Sequence, residues 1–186
     1  KAGSGKTTLL KVVASVLACQ DPRQLAPSLV KAVPKPVPLP IFLPLRLFEY
    51  ACRGEDADYK RCLSDLLRFV DGWFVQRLAL EGVPAGFLSD HIRQGRAWLL
   101  LDALDEVPEP GQRKDIRNVI NTLADRFSST RVIVTARVKA YGAARLSDSF
   151  HVLTVRELGE KQRAMMVRLL YQSLQVPNAD RVADDL

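Results

Sequence analysis

A glycine-containing run, GSGKT at residues 3–7, leads without a break into an apolar pattern with helical spacing. This combination restricts the fold more than any other feature of the sequence. Glycines let consecutive backbone N–H groups turn inward toward one ligand, and a helix start adds unpaired N–H groups and a partial positive charge. The run therefore predicts a loop that binds nucleotide phosphates, followed by a helix beginning near Lys6. The apolar positions of that helix are Leu9, Val12, Val13, Val16 and Leu17.

The side chains of the run fit the same chemistry. The Lys6 ammonium can bind the β- and γ-phosphates, and the Thr7 hydroxyl can ligate Mg²⁺. In the motif G-x-x-x-x-G-K-[ST] the first glycine would stand one position before Lys1, so we expect the chain to be a fragment that begins inside the motif. The alternative is an unrelated glycine turn, but the helix that opens at once favours the phosphate loop. The expected nucleotide-binding residues are Ala2, Gly3, Ser4, Gly5, Lys6, Thr7 and Thr8.

Short apolar runs alternate with helical patterns along the rest of the chain. AWLLL at 97–101 and VIV at 132–134 lack alternation, as strands buried on both faces of a parallel sheet do. The proline-bounded IFLPLRLF at 41–48 predicts a strand near a sheet edge, and HVLTV at 151–155 predicts a short strand. The helical patterns lie near 63–81, 87–92, 116–127 and 160–175. Such alternation predicts an α/β fold with a mostly parallel sheet, whose chemistry lies at the carboxyl ends of the strands.

Acidic residues follow the first buried strand, in the segment AWLLLDALDEVP. Asp102 ends that strand, where its carboxylate can hold Mg²⁺ directly or through water, and phosphate-bound Mg²⁺ needs few carboxylates. Asp105 and Glu106 follow on the turn, where a carboxylate can orient or deprotonate the water that attacks the γ-phosphate. We favour Glu106 as this catalytic acid, with Asp105 as the main rival. The alternative is that both acids cap the next helix or face solvent.

An arginine follows the second buried strand, in the segment STRVIVTARVKAY. Arg137 stands at the tip of a strand that should neighbour the acid-bearing one. Its planar guanidinium pairs well with phosphate oxygens, so it could contact the γ-phosphate. The alternative is a surface arginine paired with an acid. The expected catalytic residues are then Glu106, Asp105, Lys6 and Arg137, and the expected Mg²⁺ ligands are Thr7 and Asp102.

Composition excludes several other classes of protein. The net charge of +6 is spread along the chain without a basic run that includes aromatics, so it does not indicate nucleic-acid binding. No apolar stretch approaches the roughly 20 residues of a membrane helix. Three cysteines without C-x-x-C spacing fit a reducing compartment, so we expect a cytoplasmic protein without a membrane span.

Together these segments resemble the NACHT family of nucleoside triphosphatases, within the STAND class of P-loop proteins. The matching segments are AGSGKTTLL as Walker A, LPLRLF as the second strand, LLLDALDEVP as Walker B and VIVTAR as the sensor-1 strand. In the family a tiny residue follows the Mg²⁺-linked aspartate and two acids come shortly after, as Ala103, Asp105 and Glu106 do here. The family often reads T-S-R-P where this chain has TARV at 135–138.

The resemblance implies a P-loop NTPase fold, a three-layer αβα sandwich with a mostly parallel sheet. It implies a nucleotide-binding domain at 1–158 and the start of a helical domain at 159–186. The first strand would be missing from the fragment. We expect that strand to lie between the strands bearing Asp102 and Arg137, and we expect the isolated chain to be poorly soluble without it.

The resemblance also implies a function, which is an ATP- or GTP-binding signalling switch with Mg²⁺ as cofactor and ATP or ADP as ligand. Such modules hydrolyse nucleotide slowly and self-oligomerise. In the full-length protein they join an N-terminal effector domain to a C-terminal sensor domain, as in innate immunity or antiphage defence. Two rivals stay open: a P-loop ATPase or kinase of steady turnover, and a scaffold that nucleotide merely stabilises.

Overall fold

The computed structural model of the chain describes residues 5–19, 33–51, 62–77, 82–142, 145–156 and 159–173. Two compact units are present, Lys1–Leu153 and Thr154–Leu186. The strands of the first unit are β1 (Leu39–Pro44), β2 (Ala97–Asp102) and β3 (Arg131–Val134). Its helices are α1 (Lys6–Ala18), α2 (Leu45–Ala51), α3 (Leu63–Arg77), α4 (Phe87–Arg93), α5 (Pro110–Arg126) and α6 (Val138–Tyr141). The second unit contains α7 (Glu160–Ser173).

The three described strands form one parallel sheet in the order β1-β2-β3. Leu43 of β1 pairs with Leu101 of β2, which pairs in turn with Val134 of β3. Parallel pairing in this register brings the carboxyl ends of all three strands to one edge of the sheet. The predicted α/β class with a parallel sheet is therefore confirmed, and the segments that follow β2 and β3 are neighbours.

The sheet has an apolar core on one face and a helix on the other. Along β2, Leu99 and Leu101 point to one face and are fully buried in a cluster with side chains of α3, α4 and α5. Leu100 points to the opposite face and is also fully buried, although it does not belong to that cluster. On that face α1 packs against β1 and β2. Burial on both sides explains why the sequence of β2 is a continuous apolar run.

The buried face of α1 agrees only in part with the predicted one. Val16 and Leu17 are buried as predicted and Leu10 is buried as well, whereas Leu9 and Val12 are exposed. Because residues 9 and 10 are both leucine, two stripes with helical spacing run along the helix. Sequence spacing alone cannot choose between them, and packing against the sheet buries the stripe that contains Leu10 and Leu17.

The strand predicted at 41–48 is only half correct. It lies at an edge of the described sheet, as expected, but β1 ends at Pro44 and α2 begins with the next residue. Leu45 and Phe48 are fully buried, three residues apart, which is helical spacing. The predicted strand HVLTV at 151–155 is wrong, because these residues form neither helix nor strand and their side chains are exposed.

Two further expectations about the sheet are corrected. β3 was expected to be buried on both faces, but Arg131 is exposed and the other three residues are half-buried. Among the described residues β3 is an edge strand: β2 pairs with it on one side, and no described strand pairs with it on the other. The strand expected between those bearing Asp102 and Arg137 is excluded from that position, because β2 and β3 pair directly.

In the second unit, α7 begins at Glu160 as predicted. The sequence pattern also predicts that Met165 and Leu169 lie inside, but both side chains are exposed. The predicted end of this helix at 175 and the predicted end of the 63–81 helix lie outside the described residues. So does nearly all of the polar segment at 51–60, which the sequence predicts to be a loop. Within the described part of the chain, the structure has no helix both long and apolar enough to cross a membrane.

Candidate functional site

A cleft of about 230 Å³ lies where the carboxyl ends of β2 and β3 meet the start of α1. It is built from three separate parts of the sequence, which are the glycine run, the turn after β2 and the segment after β3. The lining residues are Gly5, Lys6, Thr7, Thr8, Asp102, Ala103, Asp105, Glu106, Thr135 and Arg137. The fold thus brings together every predicted site residue that the structure describes. Ala2, Gly3 and Ser4 lie outside the described residues.

The first wall of the cleft is the amino end of α1. Gly5 is the N-cap residue with φ of 77°, a left-handed conformation that glycine adopts without the steric penalty of a side chain. Its carbonyl oxygen accepts the N–H of Leu9 at 2.8 Å and closes the first helical turn. The N–H groups of the first turn have no partner inside the helix and carry a partial positive charge. Lys6, Thr7 and Thr8 thus bring donors and positive charge to this wall.

The second wall carries Asp102, which ends β2 and is nearly buried. Its carboxylate lies between two threonine hydroxyls from different elements. Thr7 of α1 donates to Oδ2 at 2.8 Å, and Thr135, directly after β3, donates to Oδ1 at 2.5 Å. The carboxylate therefore links the helix to both strands at the base of the cleft.

The pair Thr7 and Asp102 fits a magnesium ion. Both side chains offer hard oxygen donors, which Mg²⁺ prefers. Their oxygens are 2.8 Å apart. Adjacent oxygens around an octahedral Mg²⁺, with ligands at 2.0–2.1 Å, are about 2.9 Å apart. No group of three or more His, Cys, Asp or Glu side chains within the described residues could hold a metal ion. A metal at this place would thus rely on ligands from phosphate and water.

The chain turns sharply at Ala103, and this turn directs the next two acids into the cleft. Ala103 has φ of 59° and ψ of 55°, the one left-handed non-glycine residue among those described. This conformation disfavours bulky and β-branched side chains, which accounts for a tiny residue here. Leu104 is fully buried beneath the short 3-10 turn Leu104–Glu106. The buried leucine anchors the turn, so Asp105 and Glu106 have fixed starting points.

The two acids differ in their surroundings. The side chain of Asp105 is 5% exposed, and both of its oxygens face Arg137. Oδ1 accepts the backbone N–H of Arg137 at 2.9 Å, and Oδ2 lies 3.2 Å from its Nε. The side chain of Glu106 is 44% exposed and meets Arg137 only through a contact of 3.4 Å between Oε1 and Nη2. Asp105 is therefore held in place, whereas Glu106 lines the cleft with a half-exposed side chain that is held only weakly.

Sequence reasoning did not single out Thr135 as a site residue. Its hydroxyl contacts Asp102 and also accepts the N–H of Ala103 at 2.9 Å. A usable signal was present, because a hydroxyl residue stands directly after a strand that neighbours the Asp102 strand. Recognising its role required the register in which β2 pairs with β3, which no local pattern in the sequence shows.

Comparison with known proteins identifies one family. The family model described as "NACHT domain" matches residues 1–173, which is most of the chain. No curated protein and no solved structure gave a significant match. The family match covers every residue that lines the cleft.

Proposed function

The chain belongs to the NACHT domain family of P-loop nucleoside triphosphatases, and we propose that its cleft binds a magnesium nucleoside triphosphate as a slow switch. The fold is accordingly the αβα fold of P-loop NTPases, and the domain is a nucleotide-binding module. The observation that carries the proposal is the convergence of the amino end of α1 with Asp102, Glu106 and Arg137 in one cleft.

The phosphates would bind at the amino end of α1. Backbone N–H groups around Gly5 and the first helical turn supply donors, and the Lys6 ammonium adds a mobile positive charge for the β- and γ-phosphates. Ala2, Gly3, Ser4 and Thr8 belong to the same proposed loop. Support comes from the left-handed Gly5, which opens the helix toward the cleft without a side chain in the way.

Thr7 and Asp102 would hold the Mg²⁺. When bound, the ion neutralises charge on the phosphate oxygens and orients the triphosphate. The protein contributes two oxygens at a suitable separation, and the clamp by Thr135 keeps the Asp102 carboxylate in one orientation.

For hydrolysis, Glu106 is the better candidate for the acid that acts on water. The water oxygen forms a bond to the γ-phosphorus, the bond from that phosphorus to the β–γ bridging oxygen breaks, and Glu106 accepts a proton from the water. The products are nucleoside diphosphate and inorganic phosphate. Both oxygens of Asp105 contact Arg137, so Asp105 would position the arginine rather than the water.

The switch would depend on Arg137, whose guanidinium is half-exposed at the rim of the cleft. The oxygens of a γ-phosphate carry more negative charge than the carboxylate of Glu106, and they would pair with the guanidinium of Arg137. Triphosphate and diphosphate would therefore favour different arrangements of this segment. Slow hydrolysis would reset the module. Through these states the nucleotide would control self-oligomerisation and the response of an effector domain to a sensor domain in the full-length protein.

The test is calorimetric titration of the full-length gene product with ATP, ADP and GTP, each with Mg²⁺ and with EDTA. We expect binding with Mg²⁺ and a strong loss in Lys6→Ala. Lys11→Ala is the matched control, because Lys11 is exposed on the same helix and does not line the cleft. Sedimentation with ADP and with a non-hydrolysable triphosphate then measures oligomer size. Absence of binding to all three nucleotides would refute the proposed function.

A further inference from the structure

Thr135 makes an unusually complete set of contacts with the turn that follows β2. Its backbone N–H donates to the carbonyl oxygen of Leu101 at 2.9 Å, and its own carbonyl oxygen accepts the N–H of Leu104 at 2.9 Å. Its hydroxyl donates to Asp102 Oδ1 at 2.5 Å and accepts the N–H of Ala103 at 2.9 Å. The polar groups of one residue thus contact four consecutive residues of the neighbouring segment.

The hydroxyl performs two tasks that no other group in the described site performs together. It fixes one oxygen of Asp102, so the second oxygen is turned toward Thr7 on α1. It also accepts the N–H of Ala103, the left-handed residue at which the chain turns. The same oxygen atom therefore holds both the carboxylate of Asp102 and the turn that carries the two acids in position.

We infer that Thr135 is a positioning residue for the magnesium site, acting through Asp102 and Ala103 without touching the metal or the nucleotide. This inference rests on the proposed function. Residues that orient a metal ligand change metal affinity by about 10–100-fold when they are replaced. The physical reason is that an unrestrained carboxylate must be ordered when the metal binds, and it also loses the hydrogen bond that fixes which lone pair faces the metal.

The substitution that isolates the hydroxyl is Thr135→Val, which keeps the branched shape and removes the oxygen. Thr135→Ser restores the hydroxyl and omits the methyl group. Thr130→Val is the matched control at the other end of β3. Thr130 is buried, and its hydroxyl donates to the carbonyl oxygen of Ile92, far from the cleft.

The experiment measures metal binding directly in the full-length gene product. Mn²⁺ is titrated in the presence of ADP and followed by electron paramagnetic resonance, and ADP affinity is measured by calorimetry with Mg²⁺ and with EDTA. For Thr135→Val we expect Mn²⁺ affinity to fall about 10–100-fold. ADP affinity in EDTA should change less than about twofold, since the contacts of α1 with phosphate stay intact. Thr135→Ser should lie close to the wild type, and Thr130→Val should leave metal affinity unchanged even if the protein melts earlier.

Each other outcome has a defined meaning. Equal Mn²⁺ affinity in the wild type and Thr135→Val overturns the inference and leaves the proposed function standing. A loss in Thr135→Ser as large as that in Thr135→Val also overturns it, because the hydroxyl would then not be responsible. If Thr135→Val fails to fold, Thr135→Ala removes the same oxygen without added bulk and is held to the same expectation. A wild type that binds neither metal nor nucleotide removes the proposed function together with this inference.

Discussion

Replacing Asp105 with asparagine and Glu106 with glutamine separates the roles of the two acids. Each change keeps the shape of the side chain and removes one negative charge. We expect Asp105→Asn to destabilise the nucleotide-free protein and to reduce hydrolysis moderately. We expect Glu106→Gln to leave stability almost unchanged and to reduce hydrolysis far more. Asp105→Asn should therefore have the larger effect on stability, and Glu106→Gln should have the larger effect on hydrolysis.

The magnitudes follow from the contacts of each acid. Hydrogen bonds to charged groups contribute about 1.5–3 kcal/mol and neutral ones about 0.5–1.5, so the lost charge at Asp105 removes about 1 kcal/mol. The asparagine NH₂ group would also face the Nε–H of Arg137, two donors at 3.2 Å in the present geometry. Because the Arg137 side chain is 48% exposed, water can satisfy part of that conflict. A total of about 1–2 kcal/mol is expected for Asp105→Asn.

For Glu106 the same reasoning gives a small effect on stability. Its contact with Arg137 is 3.4 Å long and half-exposed on both sides, so the free energy of unfolding should change by less than about 0.5 kcal/mol. Loss of a positioned general base typically lowers the rate by about 10²–10⁴-fold. Guanidinium unfolding without nucleotide gives the stability, and phosphate release at saturating Mg-ATP gives the rate.

Asp148→Asn is the control for a lost surface charge, because its side chain is 91% exposed and lies outside the cleft. It should match the wild type in both assays. The reasoning is refuted if Asp105→Asn abolishes hydrolysis at unchanged stability while Glu106→Gln still turns over. The two acids would then have exchanged the roles that their burial indicates.

Three other substitutions test a close backbone approach at the opposite end of the sheet, the anchor of the acidic turn, and the arginine. Gly95→Ala should destabilise the protein by about 2–4 kcal/mol in guanidinium unfolding, because φ is +68° and a Cβ would lie 2.6 Å from that of Ser129. Leu104→Ala should lower the unfolding free energy by about 2–5 kcal/mol, since this side chain is fully buried under the acidic turn. Arg137→Lys should weaken triphosphate binding by about tenfold in calorimetry and leave diphosphate binding unchanged, since a lysine lacks the planar guanidinium.

The sequence was sufficient wherever one local pattern determined one structure. The apolar run before Asp102 is typical of a strand buried on both faces, so the strand and the acids at its tip were both predictable. The glycine run fixed the start of α1 in the same way, because Gly5 is followed directly by a helix-forming stretch. These two segments form part of the cleft, and that part could be predicted without any tertiary information.

Prediction failed where two local patterns competed or where contacts joined distant residues. Leu9 and Leu10 offer two helical stripes, and only the sheet decides between them. The segment after Pro44 has strand-like composition, yet helical burial of Leu45 and Phe48 prevails. The role of Thr135 depends on a residue 33 positions earlier in the chain, so no local pattern contains it.

The charges of the cleft explain why the metal should be necessary rather than merely helpful. Among the described lining residues, Lys6 and Arg137 are basic, whereas Asp102, Asp105 and Glu106 are acidic. These side chains alone are thus net negative before any phosphate arrives, and the partial charge of a helix end is only about half an elementary charge. A triphosphate placed there meets net repulsion from the side chains unless a divalent cation accompanies it. Nucleotide affinity in EDTA should therefore fall more steeply for triphosphate than for diphosphate, because in the proposed binding mode the third phosphate would lie closest to the acids.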